Sequence, residues 1–66
     1  MNVEFLLVDK YGTDTLLEKE TDFVPRIGER FSIELPNRYL VLKVVDVNYD
    51  ITQDKIYVIG RVGKYE

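Results

Sequence analysis

The fold of this chain is decided by residues 30–42, which read RFSIELPNRYLVL. Within residues 30–35 every second side chain is apolar, and this period of two predicts a strand with one buried face. Pro36 and Asn37 then interrupt the alternation with residue types that favour tight turns. We therefore expect the chain to turn back here and to continue as a second strand over residues 39–49.

The strand predicted over residues 39–49 changes its inward-facing parity partway along. Its inward-facing apolar residues occupy even positions up to Leu42 and odd positions from Val45 onward. A β-bulge across Lys43 and Val44 would add one residue, bend the strand and keep both halves facing the same core. The pattern therefore predicts a long, bulged strand.

The last strand is predicted over residues 55–62, where inward and outward positions again alternate. It should pair antiparallel with the strand before it, because one register keeps the core-facing rows of both strands together. That register contains three inward pairs: Tyr49 with Ile56, Val47 with Val58, and Val45 with Gly60. The outward row then holds Asp46, Asn48, Tyr57, Ile59 and Arg61.

The N-terminal part of the chain has the pattern of a β-hairpin. Strands are predicted over residues 3–10 and 14–19, and Tyr11-Gly12-Thr13 forms the expected loop because glycine accepts the positive φ of a tight turn. This loop would place Lys10 opposite Asp14, a favourable pair of opposite charges.

No window of the sequence has the i, i+3, i+4, i+7 spacing of an amphipathic helix. Each interruption has turn chemistry instead, as at Pro25 and Gly28, where glycine is expected to take a positive φ. We therefore predict that residues 1–66 form one all-β domain, a small five-stranded barrel whose curvature hides strand edges.

Two neighbouring segments carry a resemblance to known proteins: residues 23–33, FVPRIGERFSI, and residues 39–45, YLVLKVV. Their turn chemistry and β-patterning resemble small SH3-like barrel proteins of bacteria and their phages, many of unknown function. The resemblance covers residues 23–62 and implies an SH3-like barrel fold, with no activity or catalytic residue to carry over. The glycine signature of ribosomal KOW elements is incomplete, and the acidic, tyrosine-rich first loop of peptide-binding SH3 domains is not evident.

The composition excludes several kinds of chemistry. The chain has no cysteine, histidine or tryptophan, and Ser32 is its only serine. Disulfide scaffolds, zinc sites, cysteine nucleophiles and Ser-His triads are therefore excluded. A core this small also leaves little room for a substrate cavity. We expect a protein that is not an enzyme and uses no cofactor.

Residues 46–54, DVNYDITQD, place oxygen-bearing side chains at alternate positions, as a calcium loop does. The helix-loop-helix type of calcium loop needs glycine at its sixth position and glutamate at its twelfth, where this chain has Ile51 and Tyr57. Alternation along a strand followed by a hairpin turn explains the same pattern without a metal. We therefore expect no metal site.

The chain is expected to act in the cytoplasm, beginning at its own Met1. Its longest apolar runs, residues 5–8 and 39–42, are far shorter than the roughly 20 residues that span a bilayer. The first residues also lack the basic start and long apolar stretch of a signal peptide, because Glu4 and Asp9 interrupt them. We expect no membrane association.

Single-stranded nucleic acid is one possible partner, since small barrels bind it with basic grooves and stacking aromatic residues. Such residues are present in the C-terminal two-thirds of the chain: Arg26, Arg30, Arg38, Lys43, Arg61, Lys64, Tyr39, Tyr57 and Tyr65. Acidic residues are interleaved with them, however, and the formal net charge of −3 opposes attraction to phosphate.

Another protein, or a second copy of this chain, is the partner that the sequence favours. The chain has more large apolar residues than so small a core needs, so part of one sheet face should reach the surface. We predict an interface on that outward face, formed by Tyr39, Val41, Asp46, Asn48, Tyr57, Ile59 and Arg61. An edge strand over residues 3–8 that extends a partner's sheet is the alternative surface. The acidic first 24 residues favour a cationic partner.

Overall fold

All five predicted strands are present in the computed structural model, which describes residues 1–62. They are β1 (Asn2–Asp9), β2 (Gly12–Glu20), β3 (Arg30–Leu35), β4 (Arg38–Asp50) and β5 (Lys55–Arg61). They form one sheet in the order β2-β1-β5-β4-β3, which curls into a half barrel. The expected all-β class is confirmed, and no helix occurs in residues 1–62.

The hairpin of β3 and β4 is closed by Pro36 and Asn37, with Leu35 opposite Arg38. The strand β4 is long enough to serve two neighbours: its first half pairs with β3, and its second half pairs with β5 on the other side. Lys43 belongs to both ladders. The long strand therefore joins the two halves of the sheet.

The predicted bulge in β4 is present, one residue later than expected. The register shifts between Val44 and Asp46, so Val45 is the extra residue and is exposed. Val44 faces the core and lies opposite Gly60, which makes the predicted pairing of Val45 with Gly60 wrong. The predicted pairs of Tyr49 with Ile56 and Val47 with Val58 are confirmed.

The register predicted for the first hairpin is wrong. The turn contains only Lys10 and Tyr11, because the Asp9 side chain accepts a hydrogen bond from the Tyr11 backbone N–H at 2.8 Å. Gly12, with φ of 130°, lies opposite Asp9 at the start of β2. Lys10 therefore does not face Asp14. A shift in register beside Leu16 then brings Leu17 opposite Phe5.

The strand β1 is an interior strand of the sheet, between β2 and β5. It pairs antiparallel with β2 and parallel with β5, where Val3 lies opposite Ile56. The prediction that residues 3–8 form a free edge is therefore wrong. Among residues 1–62, the strands with free edges are β2 and β3.

The core lies on the inner face of the curled sheet. Its buried side chains come from four strands: Val3, Phe5, Ile33, Leu42, Val44 and Val58. The loop between β2 and β3 adds Pro25, which is also buried, and then turns at Gly28 with the expected positive φ of 93°. The Phe5 and Phe31 rings pack at 5.2 Å between centroids and tie β1 to β3.

Candidate functional site

The predicted interface residues all lie on the strands and face assigned to them, but the structure divides them into two groups. Asp46 lies opposite Ile59 and Asn48 opposite Tyr57, so these four residues form one patch. Arg61 continues the patch along β5.

Tyr39 and Val41 lie on the other half of β4, beside β3. At roughly 3.3 Å per residue, Tyr39 is on the order of 20 Å along the strand from Asp46. Tyr39 and Val41 are exposed, at 64% and 42%, whereas Tyr57 and Ile59 are half-buried. The apolar surface on this face is therefore concentrated near the free edge of β3.

Three basic residues form a row across the outer face. The sequence pattern did not predict this row. Arg30 lies opposite Lys43, and Lys43 lies opposite Arg61. All three side chains are exposed, and within residues 1–62 none of them makes a salt bridge. Like charges directly opposite each other destabilise a sheet, so an anion bound to the row would relieve repulsion. Lys64 and Tyr65 lie outside the described residues.

A network of polar side chains crosses β2, β1 and β5 on the same face. The Lys55 ammonium lies 2.7 Å from Glu4 and 3.3 Å from Glu18, and Asn2 donates a hydrogen bond of 2.7 Å to Glu18. The Thr15 hydroxyl donates to Glu4. The side chains of Glu4 and Lys55 are only 13% and 15% exposed, which makes this pair part of the structure rather than a free acidic surface.

The network shifts the pKa of its members in the directions that keep them charged. The bond from Lys55, followed by the bond from Thr15, holds the pKa of Glu4 below its ordinary value. The bond from Asn2, followed by that from Lys55, lowers the pKa of Glu18. Bonding to Glu4 raises the pKa of Lys55.

These shifts predict that acid destabilises the fold through Glu4. A carboxyl whose pKa is lowered on folding adds stability above its unfolded pKa, here 4.5, and that stability is lost as pH falls through the folded value. In thermal melts, the fall in melting temperature from neutral pH to strong acid should be smaller for Glu4→Gln than for the wild type. The control, Asp14→Asn, removes an exposed carboxyl that makes no salt bridge in residues 1–62 and should leave the acid loss at the wild-type value. Equal acid losses in the wild type and Glu4→Gln would contradict the prediction.

Two of the carboxylates that suggested a calcium loop, Asp50 and Asp54, are engaged in the turn between β4 and β5, whereas Asp46 lies in β4 opposite Ile59. Asp50 accepts hydrogen bonds from the backbone N–H groups of Thr52 and Gln53 at 3.0 and 3.4 Å. Asp54, at a positive φ of 54°, accepts a bond of 2.5 Å from the Tyr49 hydroxyl, which raises the pKa of Tyr49. Residues 1–62 contain no cluster of acidic side chains arranged to hold a metal ion.

The open side of the half barrel, between β2 and β3, contains an apolar groove of about 310 Å³. Its apolar lining includes Phe5, Leu17, Phe23, Phe31 and Ile33. Phe23 and Leu17 are 70% and 40% exposed, so much of this apolar surface is in contact with solvent. The groove was not predicted, because it forms only where the loop after β2 passes the curled sheet.

The groove, the basic row and the exposed apolar pair beside β3 are three surface features of residues 1–62 that offer area for binding. The basic row and the apolar pair are positioned by strand register alone, whereas the groove also depends on the loop between β2 and β3. No helix in residues 1–62 is long and apolar enough to cross a membrane. None of the protein-family models, curated proteins or solved structures compared with this chain matches it.

Proposed function

We propose that this chain is a non-enzymatic protein-interaction module that binds an extended segment of another protein in the groove between β2 and β3. The observation that supports it best is the exposed apolar surface of Phe23 and Leu17 beside two free strand edges. A free edge offers backbone groups to an added strand, and the groove accepts every second side chain of that strand. Exposed apolar surface of this kind marks contacts with other chains.

The charge around β2 defines the segment further. Besides Lys19, this strand carries Asp14, Glu18 and Glu20, and Asp22 follows it. A segment that alternates apolar with basic residues would place the apolar side chains in the groove and the basic ones beside Glu18 and Glu20. Glu18 also bonds Lys55, and Glu20 also bonds the N-terminal amine, but their side chains remain 46% and 77% exposed to a partner. The partner is therefore a protein with a cationic, extended segment.

The setting of this function is proposed from the sequence resemblance. We place the chain among SH3-like barrels, acting in the cytoplasm as an accessory protein of a phage or mobile element that occupies a host protein. The resemblance over residues 23–62 and the curled five-stranded sheet support this assignment. The predicted patch of Asp46, Asn48, Tyr57, Ile59 and Arg61 is then a second contact surface on the outer face.

Selection of short random peptides displayed on a surface tests the proposal. The wild type should enrich peptides that alternate apolar with basic residues. Phe23→Glu should weaken their binding by about tenfold or more, equivalent to about 1.4 kcal/mol. Ile27→Glu is the matched control, because Ile27 lies on the same loop, is 65% exposed and does not line the groove. Failure to enrich peptides, or equal binding by Phe23→Glu, would refute the proposal.

Single-stranded nucleic acid is the second candidate ligand, favoured by the basic row of Arg30, Lys43 and Arg61. Tyr39, exposed on the same face of β4, could stack on a base. Binding of a labelled oligonucleotide should then weaken steeply as salt is raised and be lost in Lys43→Glu. Phe23→Glu should leave it unchanged, which separates this function from groove binding.

A further inference from the structure

The strand β3 offers a complete set of free backbone groups at one end of the sheet. The two-residue turn makes Leu35 and Arg38 a hydrogen-bonded pair, and at the other end the Val44 N–H donates to the Glu29 carbonyl at 2.8 Å. Hydrogen-bonded pairs alternate along an antiparallel ladder, so both ends give the same result: the backbone groups of the odd-numbered residues of β3 bond to β4. The N–H and C=O groups of the even-numbered residues point away from β4, and no backbone partner for them occurs within residues 1–62.

These even-numbered residues are Arg30, Ser32 and Glu34, and their side chains lie exposed on the outer face. Arg30 and Glu34 carry opposite charges, and each lies two residues from Ser32. If a second β3 lies antiparallel with Ser32 opposite Ser32, then Arg30 of each copy faces Glu34 of the other. On the inner face the same register brings Phe31 of one copy opposite Ile33 of the other. The strand is therefore complementary to itself in backbone bonding, charge and apolar surface.

We propose that β3 pairs antiparallel with β3 of a second copy of this chain, centred on Ser32, so that two half barrels share one continuous sheet. Because both copies use the same surface, the contact closes as a two-fold dimer and does not propagate into a filament. The exposed Tyr39 and Val41 lie one strand away from the contact, where a second copy would cover part of their apolar surface. This self-pairing goes beyond the binding of a foreign segment in the groove. Both contacts use Phe31 and Ile33, so the two proposals are separated by testing peptide binding on a monomeric variant.

The other free edge is unsuited to the same contact. The strand β2 carries three acidic residues, Asp14, Glu18 and Glu20, against one basic residue, Lys19. A β2 paired with its own copy would accumulate negative charge along the seam, which disfavours the pairing. The formal charge of β3, by contrast, sums to zero.

Sedimentation equilibrium over a range of concentrations tests the dimer. The wild type should pass from monomer to dimer as concentration rises, whereas Arg30→Glu and Glu34→Arg, each alone, should remain monomeric because each places two pairs of like charges across the seam. An equimolar mixture of these two variants should dimerise, since every pair then joins opposite charges. Arg38→Glu makes the same change of charge at an exposed site off the β3 edge and should dimerise like the wild type.

Ser32→Pro tests the backbone contact separately from charge. Ser32 directs its N–H away from β4, so proline should leave the hairpin folded while removing a central bond of the dimer. Circular dichroism should show the wild-type spectrum, and the dimer should be lost, whereas Ser32→Ala should retain it. A wild type that stays monomeric at millimolar concentration would overturn the self-pairing. A dimer that persists in Arg30→Glu or Ser32→Pro would also overturn it, and so would an equimolar mixture of Arg30→Glu and Glu34→Arg that stays monomeric. A monomeric wild type that still binds peptides would refute self-pairing alone. An Arg30→Glu monomer that binds none would refute groove binding alone, because its groove is not covered by a second copy.

Discussion

Replacing Gly60 with alanine is expected to destabilise the protein by about 1–3 kcal/mol, and replacing it with valine by more. Gly60 lies in β5 where the sheet curls over its own core. A Cβ atom added there would lie 2.9 Å from the Leu42 Cβ and 2.9 Å from the Phe31 ring. Cβ atoms in real proteins essentially never lie this close to another heavy atom. The Leu42 Cβ is attached directly to the backbone, so it cannot move away unless β4 moves.

A double-mutant cycle measured by urea denaturation identifies the cause of this loss. Leucine at Phe31 removes the ring atoms nearest to the added Cβ. Gly60→Ala should therefore cost less in a Phe31→Leu background than in the wild type. A neutral Gly60→Ala, or an equal cost in both backgrounds, would show that close packing of the sheet does not require glycine here.

Truncating Leu42 to alanine should have a comparably large effect, a loss of about 2–5 kcal/mol. Leu42 is completely buried and lies in β4, opposite Phe31 of the edge strand β3. A domain of this length has a total stability of only about 3–10 kcal/mol, so the variant should be largely unfolded at moderate temperature. Calorimetry or chemical denaturation measures the change directly.

The neighbouring residue provides the control for this truncation. Val41 is 42% exposed on the outer face, and Val41→Ala should change stability by roughly 0.5 kcal/mol or less, as surface substitutions usually do. If both truncations cost the same, the assignment of inner and outer faces in the first half of β4 would be wrong.

Local alternation of side chains was sufficient to predict the strands. The bounds of β3 agree with the alternating stretch, and the β4–β5 register follows from matching Val47 with Val58. The bulge was misplaced by one residue because Val44 and Val45 are chemically identical, so the pattern cannot tell which is the extra residue. The first turn was misjudged because it depends on a side-chain bond from Asp9 to the backbone, which leaves no mark in the alternation of apolar residues.

The candidate sites were less predictable, since parity assigns a residue to a face but not to a neighbour. Tyr39 and Tyr57 share the outer face, yet the length of β4 separates them. The row of Arg30, Lys43 and Arg61 requires the registers of two ladders at once. The groove requires the order of strands in the sheet, including the parallel pairing of β1 with β5, and contacts between distant segments are not encoded in local periodicity.

The parallel pairing of β1 with β5 joins the first strand of the chain to the last. This contact closes almost the whole chain into a loop. The conformational entropy of that loop is lost before the contact itself stabilises the fold. Sheets dominated by such distant pairings fold in about milliseconds to seconds, rather than microseconds. During synthesis the β1–β2 hairpin can form early. The β3–β4 hairpin, whose Phe31 packs on the inner face of β1, joins that part of the sheet only through β5. The protein is therefore most prone to aggregation during synthesis, while its N-terminal half has been made and β5 has not.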